Sequence, residues 1–397
     1  KHSVGGSFYF FESDHWGQVV WAEHINGALS PRHKYYQYYG KKYVSSIYSQ
    51  EYYEFTENWS GQLTAQIRYQ KYDFVQEKMG AFEGYKYNVD WLFFSPRAGI
   101  NYTLDKNLSF YANLSIASRT PSDAAIYDAN DSDVFPSLEI ESVSLSTSGD
   151  TIAYQFGAPT AKSERVYDFE LGGEYRQTAY SFGFNLFWME FKNEIIPYGG
   201  INESGIAFTT NAKRSVHAGV ELTTSYKPHK DFTVSGNFAF NSNRIKDYTD
   251  TIDVYTNDWS SSRDSTIDFA DKKIPAFPDY LGNIITDYNN DKLRAAFQLR
   301  FVGKQFMELF NIDSLAIEPY VFASFSLSYK LKNFAGLGNL VFVGRIDNLF
   351  DTKYETSGYG WSYGRDDQLG VAQLIHEAEY YVAAERNFFV QLKWELE

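Results

Sequence analysis

The chain of 397 residues contains no cysteine, which excludes disulfides, thiolate metal centres and cysteine nucleophiles together. It also lacks any run of about 18 apolar residues, so it encodes no transmembrane helix. A membrane is not excluded by that, because barrel strands place only every second residue in lipid. No nucleophile elbow, P-loop or HExxH pattern occurs, and without such a constellation nothing points to an enzyme. Helical periodicity of useful length is missing as well. Positive charge is scarce: 36 Lys and Arg against 50 Asp and Glu leave a net charge of −14. That is the wrong sign for a phosphate backbone, so nucleic acid is not an expected partner. The opening residues Lys1-His2-Ser3-Val4-Gly5-Gly6 lack the apolar core of a secretory signal.

What the chain has in excess is aromatic side chains: 33 Tyr, 33 Phe and 8 Trp, or 19 %. Two interfacial girdles and a lipid-facing wall require such an excess. The segment 341–354, VFVGRIDNLFDTKY, shows the pattern that goes with it. Leu340, Phe342, Gly344 and Ile346 take one strand face; Val343, Arg345 and Asp347 take the other. A strand apolar on one side and charged on the other belongs in a wall that is lipid-facing outside and wet inside.

The same alternation recurs along the chain. It is clear over 62–72, 94–102, 108–118, 165–176, 180–191, 215–226, 232–241, 280–288, 292–302, 320–329 and 387–396, and shorter or ragged over 7–11 and 43–55. Pro96 is expected near the start of its strand. Connections alternate between short turns and long segments, the longest about 119–163, where 137–146 and 151–156 suit a protruding hairpin. About fourteen antiparallel strands, short turns at one rim and long loops at the other define the expected class: an all-β, transmembrane antiparallel barrel of the outer-membrane type, spanning 1–397 as one domain. By parity Arg68, Arg97, Asp168, Glu170, Glu174, Arg294, Arg300, Arg345 and Asp347 point inward. Three carboxylates on one strand face cannot sit in a dry core without partners.

An ordered set of short motifs resembles the C-terminal part of a TonB-dependent outer-membrane receptor. It includes Phe94-Ser95-Pro96-Arg97, Arg119-Thr120-Pro121-Ser122, Glu170-Leu171-Gly172 and Thr210-Asn211-Ala212. Gly219-Val220-Glu221-Leu222, Arg386-Asn387-Phe388-Phe389 and, most specific, Asn348-Leu349-Phe350-Asp351 with Lys353-Tyr354 complete it. Phe388, Val390, Leu392, Trp394 and Leu396 keep the family's alternation at the last strand, although Glu397 stands where the family ends on an aromatic residue. The resemblance implies about 14 strands of a 22-stranded barrel, with the N-terminal plug domain, the TonB-contact segment and the first strands not in this chain.

The resemblance further implies energy-coupled uptake of a scarce ligand, foremost a ferric siderophore or other iron complex. The implied partners are outer-membrane lipid, the receptor's own plug, the TonB complex through the plug-bearing part, and a small-molecule ligand. The inward charges would then face the plug. Tyr359, Trp361, Tyr363, Arg365 and His376 on the loop 354–383, with Tyr127 and Trp259 on other long loops, would bind ligand, as aromatic and cationic groups do. A passive porin, an adhesin-type barrel, or uptake of a vitamin, oligosaccharide or peptide are the alternatives. His15, His24 and His33 recur at nine-residue spacing, which matches no zinc motif; neither a metal site nor a cofactor is expected.

Overall fold

Period-two patterning over most of the chain yields twenty strands among the described residues. In chain order they are β1 (His2–Gln18), β2 (Lys34–Glu54), β3 (Trp59–Lys78), β4 (Lys86–Thr103), β5 (Leu108–Arg119), β6 (Leu138–Leu145) and β7 (Thr151–Pro159). Next come β8 (Glu164–Arg176), β9 (Tyr180–Ile201), β10 (Ala207–His229), β11 (Phe232–Asp247), β12 (Thr249–Tyr255), β13 (Ser262–Asp268) and β14 (Tyr280–Asn289). The last six are β15 (Leu293–Val302), β16 (Tyr320–Leu331), β17 (Asn339–Asp347), β18 (Glu355–Asp366), β19 (Ala372–Val382) and β20 (Asn387–Glu395). One short helix, α1 (Asp123–Ile126), lies in the longest connection. The structure, a computed structural model, describes all residues except 25–31, 79–84, 130–136, 146–150, 202–206, 368–369, 371 and 397. The side chains of 78, 151–156 and 200 also lie outside the description, as does Glu397.

Fourteen strands form one antiparallel sheet in the order β1-β2-β3-β4-β5-β8-β9-β10-β11-β14-β15-β16-β17-β20. Among the described residues β1 and β20 are not paired with each other, so the wall is an open arc. Its short turns share one rim and are set by local side chains. Asp105 accepts from the backbone N–H groups of Asn107 and Leu108 at 2.7 and 3.1 Å, and Asn290 accepts from those of Lys292 and Leu293 at 2.9 Å. Along the wall Leu63, Ile67, Phe94, Leu114, Phe169, Leu186, Trp188 and Phe342 are exposed on the outer face, as lipid contact demands.

The strands differ from their sequence outline in length. β1 runs for 17 residues where 7–11 marked a strand, and β9 and β10 run for 22 and 23. About ten residues cross a bilayer; the ladders continue above it. There both faces meet water or protein, so period-two hydrophobicity is no longer required and the signal fades. Three long connections contain further strands for the same reason. The expected hairpin in the connection after β5 is present as β6 and β7. The stretch 242–275 carries β12 and β13, and the loop 354–383 is the hairpin β18–β19.

Pro96 lies in the middle of β4, contrary to expectation. β4 pairs with β3 from Lys86 to Tyr102 but with β5 only from Arg97 to Thr103. A proline is tolerated where the ladder to one neighbour has already ended. Above Arg97 the two strands part, and the chain after β5 folds back to cover the upper inward face. Tyr72, Phe74, Tyr87 and Val89 pack there on Ile126, Tyr127, Ala129 and Leu138. A second buried cluster joins Ile196, Ala212, Ile245, Tyr248, Phe269, Ile274 and Leu309.

Candidate functional site

The long-loop rim carries a second sheet of four strands, ordered β13-β12-β18-β19. Two hairpins are joined by a short parallel contact, Val254 opposite Gly364 and Tyr255 opposite Arg365. A Cβ on Gly364 would come within 2.5 Å of Val254 Cγ2, so only glycine permits this approach. Alternation then sorts β18 into two faces. One carries Gly358, Gly360, Ser362 and Gly364; these small residues let Met307, Glu308 and Val254 close in. The other carries Tyr359, Trp361, Tyr363 and Arg365.

On that second face an aromatic and cationic cluster forms. The Arg365 guanidinium sits 4.9 Å from the Trp259 ring centroid and donates from Nη2 to the Asn257 carbonyl at 2.9 Å. Its Nε is buried without a hydrogen-bond partner. Trp259 lies 5.7 Å from Tyr363 and 5.2 Å from Tyr255, within the range of favourable ring contacts. Tyr359 stacks near Trp361 at 5.9 Å and donates to Glu379 at 2.6 Å, a bond that holds its phenol up at about 12. Beneath, a cavity of about 210 Å³ opens between Pro197, Ile201, Phe306, Met307, Tyr359 and Tyr381. It is smaller than a whole-ligand pocket of about 300–1,000 Å³ and would seat only part of one.

Five of the seven expected ligand residues therefore share one surface. Two do not. His376 stands opposite Ser362, donating or accepting with its hydroxyl at 2.7 Å, on the other face of the hairpin and 5.1 Å from the Phe310 ring. Tyr127 is 4 % exposed in the cluster under β2–β4, where burial pushes its phenol up to about 12. Parity within the hairpin separates His376, and chain fold-back buries Tyr127; neither is visible in a loop read as irregular. Tyr255 of β12 belongs to the same cluster, opposite Arg365 and 5.2 Å from Trp259.

Trp259 is held by its turn. It has φ of 60°, and Asp258 accepts from the Thr256 and Ser260 hydroxyls at 2.8 Å each and from the Ser260 N–H at 3.1 Å. The Ser260 and Thr256 hydroxyls, in that order, hold the Asp258 carboxyl down at about 2 against its usual 3.8. A depressed carboxyl supports the fold above its unfolded value and stops doing so as pH falls through its folded value. The turn is thus expected to stay intact above 3.8 and to loosen as pH drops to about 2. The difference in fluorescence between the wild type and Trp259→Phe, titrated with acid, reads this out. A transition complete above pH 3.8 would contradict it.

The nine inward residues fall into two groups. On β3–β8, Arg68 donates to the Ser118 carbonyl at 2.8 Å, Asp168 accepts from Ser115 at 3.3 Å and Glu170 from Asn113 at 3.4 Å. Arg97 stands opposite Ser115, and Glu174 is paired with Arg176. On β15–β17, Arg294 pairs with Asp287 at 3.0 Å and Arg345 with Asp347 at 2.8 Å, while Arg300 stands opposite Asn283 and Phe322. Between the groups runs an uncharged ladder that charge-based reading missed: Asn237 to Asn283 at 2.9 Å and Asn283 to Gln298 at 3.3 Å. Strand parity alone would have found it. Among the described residues no group of three His, Asp or Glu could hold a metal ion.

An antiparallel arc that is apolar outside and polar inside, with tight turns at one rim and built-up sheets at the other, is the wall of an outer-membrane β-barrel. The profile of one family, "TonB dependent receptor-like, beta-barrel", matches residues 2–349, and the chain belongs to that family. Such barrels sit in the outer membrane of Gram-negative bacteria, and this one does too. No curated protein matches the sequence.

Among solved structures, the siderophore receptor PiuA of Acinetobacter baumannii superposes with TM-score 0.63 at 14 % identity, over 90 % of this chain and 44 % of its own. The ferric-catecholate import receptor Fiu of E. coli K12 gives 0.62 at 16 %, over 98 % and 51 %. The copper transporter OprC gives 0.62 at 13 %, over 99 % and 54 %. The chain thus spans about half the length of these proteins, and identity this low establishes the shared fold alone.

Proposed function

We propose that the chain is the barrel portion of a receptor for TonB-dependent uptake of a scarce ligand, a ferric siderophore or other iron complex. The observation that carries this is the Tyr255–Trp259–Tyr363–Arg365 cluster on an ordered sheet above the wall. Ring faces and a guanidinium suit a partly aromatic, anionic complex. Two of the similar structures are named for siderophore or ferric-catecholate import; the copper transporter keeps other metal complexes open as the alternative. In this reading the inward charges contact a plug domain that further strands would enclose. Their pairing within the wall, Arg294 with Asp287 and Arg345 with Asp347, leaves a surface that can dock and release. Transport, not catalysis, is the role.

The test uses the full receptor in cells starved of iron and fed a panel of ferric catecholate, hydroxamate and citrate complexes. One class should restore growth. Trp259→Ala with Arg365→Ala should then raise the half-maximal concentration by roughly thirtyfold to several hundredfold, the cost of losing two anchors at about 1–2 kcal/mol each. Growth independent of every iron complex, or an unshifted dose response, would refute the assignment.

A further inference from the structure

Charge changes sign along the ring-bearing face of the β18–β19 hairpin. Arg365 stands near the tip. Toward the root, Trp361 lies opposite Glu377 and Tyr359 opposite Glu379, and both carboxylates are exposed. An anionic complex is drawn to the first group and repelled by the other two. Its charged head therefore has one place to rest on this face, beside Trp259, Tyr363 and Arg365. The cavity of about 210 Å³ lies at the other end, where the hairpin root meets the top of β9 and the chain at Pro275 and Phe306.

The lining decides what that cavity can hold. No charged residue borders it, and Pro197 and Pro275 present no N–H. The Ala276 N–H is given to the Phe306 carbonyl at 2.8 Å, and Gln305 and Ile317 exchange backbone bonds at 3.0 and 2.8 Å. The Tyr359 hydroxyl is committed to Glu379 at 2.6 Å and that of Thr356 to the Tyr381 carbonyl at 3.1 Å. A charged or chelating group entering here would lose its water and gain little in return. A hydrocarbon chain would instead gain about fourfold in affinity for each methylene buried. Consecutive residues from both faces of β18, Thr356, Ser357, Gly358 and Tyr359, border the space. It thus bends round the strand, which suits a flexible chain and not a rigid ring system.

We propose that the ligand is an acylated iron complex whose acyl arm occupies this cavity while its head rests at Arg365. The proposal rests on the uptake reading above and names the part of the ligand that the small cavity takes. From Tyr363 the arm runs past Trp361 to Tyr359, about 13 Å at about 3.3 Å per residue, and ends among Phe306, Met307, Ile317 and Tyr381. Being uncharged, it passes Glu377 and Glu379 where the head cannot. Met307, which closes on Gly358, has an unbranched thioether that adapts to the shape of the chain.

The full receptor in nanodiscs is titrated, by tryptophan fluorescence, with a ferric catecholate and a ferric hydroxamate, each made with an acetyl arm and with an octanoyl arm. On the head that binds, the octanoyl probe should bind roughly sixtyfold tighter, the effect of burying half of its added methylenes at about fourfold each. Ser357 is exposed and borders the cavity. Ser357→Phe fills the space and Ser357→Asp places a charge in it; each should cut the octanoyl advantage to within threefold. Equal binding of the two arms by the wild type, with both still weakened by Trp259→Ala and Arg365→Ala, would overturn the acyl arm and leave the uptake reading standing. An advantage that survives both Ser357 variants, or octanoate alone competing as well as the octanoyl probe, would also overturn it. Binding of no ferric complex at all would remove the uptake reading and this proposal together.

Discussion

Glu194→Ala is expected to destabilise the folded chain by about 3–5 kcal/mol, the cost of removing one member of a buried charged network. Glu194 is 5 % exposed, Ser215 0 % and His217 7 %. Its carboxylate accepts from the Ser215 hydroxyl and meets His217 Nε2 at 2.8 Å. The imidazole is packed between the Phe191 and Phe277 rings at 4.9 and 5.1 Å. Removing the carboxylate strands a hydroxyl and a ring N–H at once, each worth about 1–3 kcal/mol when unsatisfied. Glu194→Gln keeps the shape and one acceptor and should cost less than half as much. Denaturant midpoints followed by tryptophan fluorescence measure both. Equal midpoints for Glu194→Ala and wild type would show that the network is not a unit.

Phe74→Ala should cost about 3–5 kcal/mol by the usual penalty for emptying a well-packed aromatic site. Phe74 is 2 % exposed and holds its cluster together, with rings of Tyr87 at 4.7 Å, Tyr38 at 5.4 Å and Tyr127 at 5.5 Å. The loss differs in kind from that at Glu194, because this cluster ties α1 and β6 to the wall without forming part of the bilayer-spanning ladder. The expected outcome is local release. Amide exchange over 123–127 and protease cleavage in the connection between β5 and β8 should accelerate, while the denaturant midpoint of the wall moves little. A variant that melts the whole sheet while leaving this connection protected would contradict the assignment.

The wall was legible in the sequence because lipid enforces period two. Phe169, Leu171 and Leu186 alternate with Asp168, Glu170 and Asn185 for a physical reason that composition cannot disguise. Above the bilayer that constraint lapses. The hairpin β18–β19 reads as a polar run because its one face is glycine and serine, chosen for close approach to Met307 and Glu308 rather than for hydrophobicity. Tyr359, Trp361, Tyr363 and Arg365 were visible as residue types. That they share a face, and that His376 does not, depends on a strand nothing in the hydropathy announces. Trp259 joins them only through the parallel contact of β12 and β18, a pairing between segments more than a hundred residues apart. Pro96 was misplaced for a related reason: its tolerance depends on where β5 stops pairing, which is a property of the neighbour.

The overshoot of the strands beyond the membrane has a kinetic consequence. β9 and β10, at 22 and 23 residues, exceed the spanning length by about a dozen residues; at about 3.3 Å per residue and a tilt near 45°, that lifts the rim sheet roughly 30 Å above the bilayer. Under the proposed uptake, a molecule held by Trp259 and Arg365 would have been caught but would not have begun to cross. On that proposal its dwell time on the platform would set how often the inner wall is offered cargo. Tightening the outer grip without limit would therefore slow delivery, and the fastest importer would be one whose platform lets go on the timescale at which the wall is ready to receive.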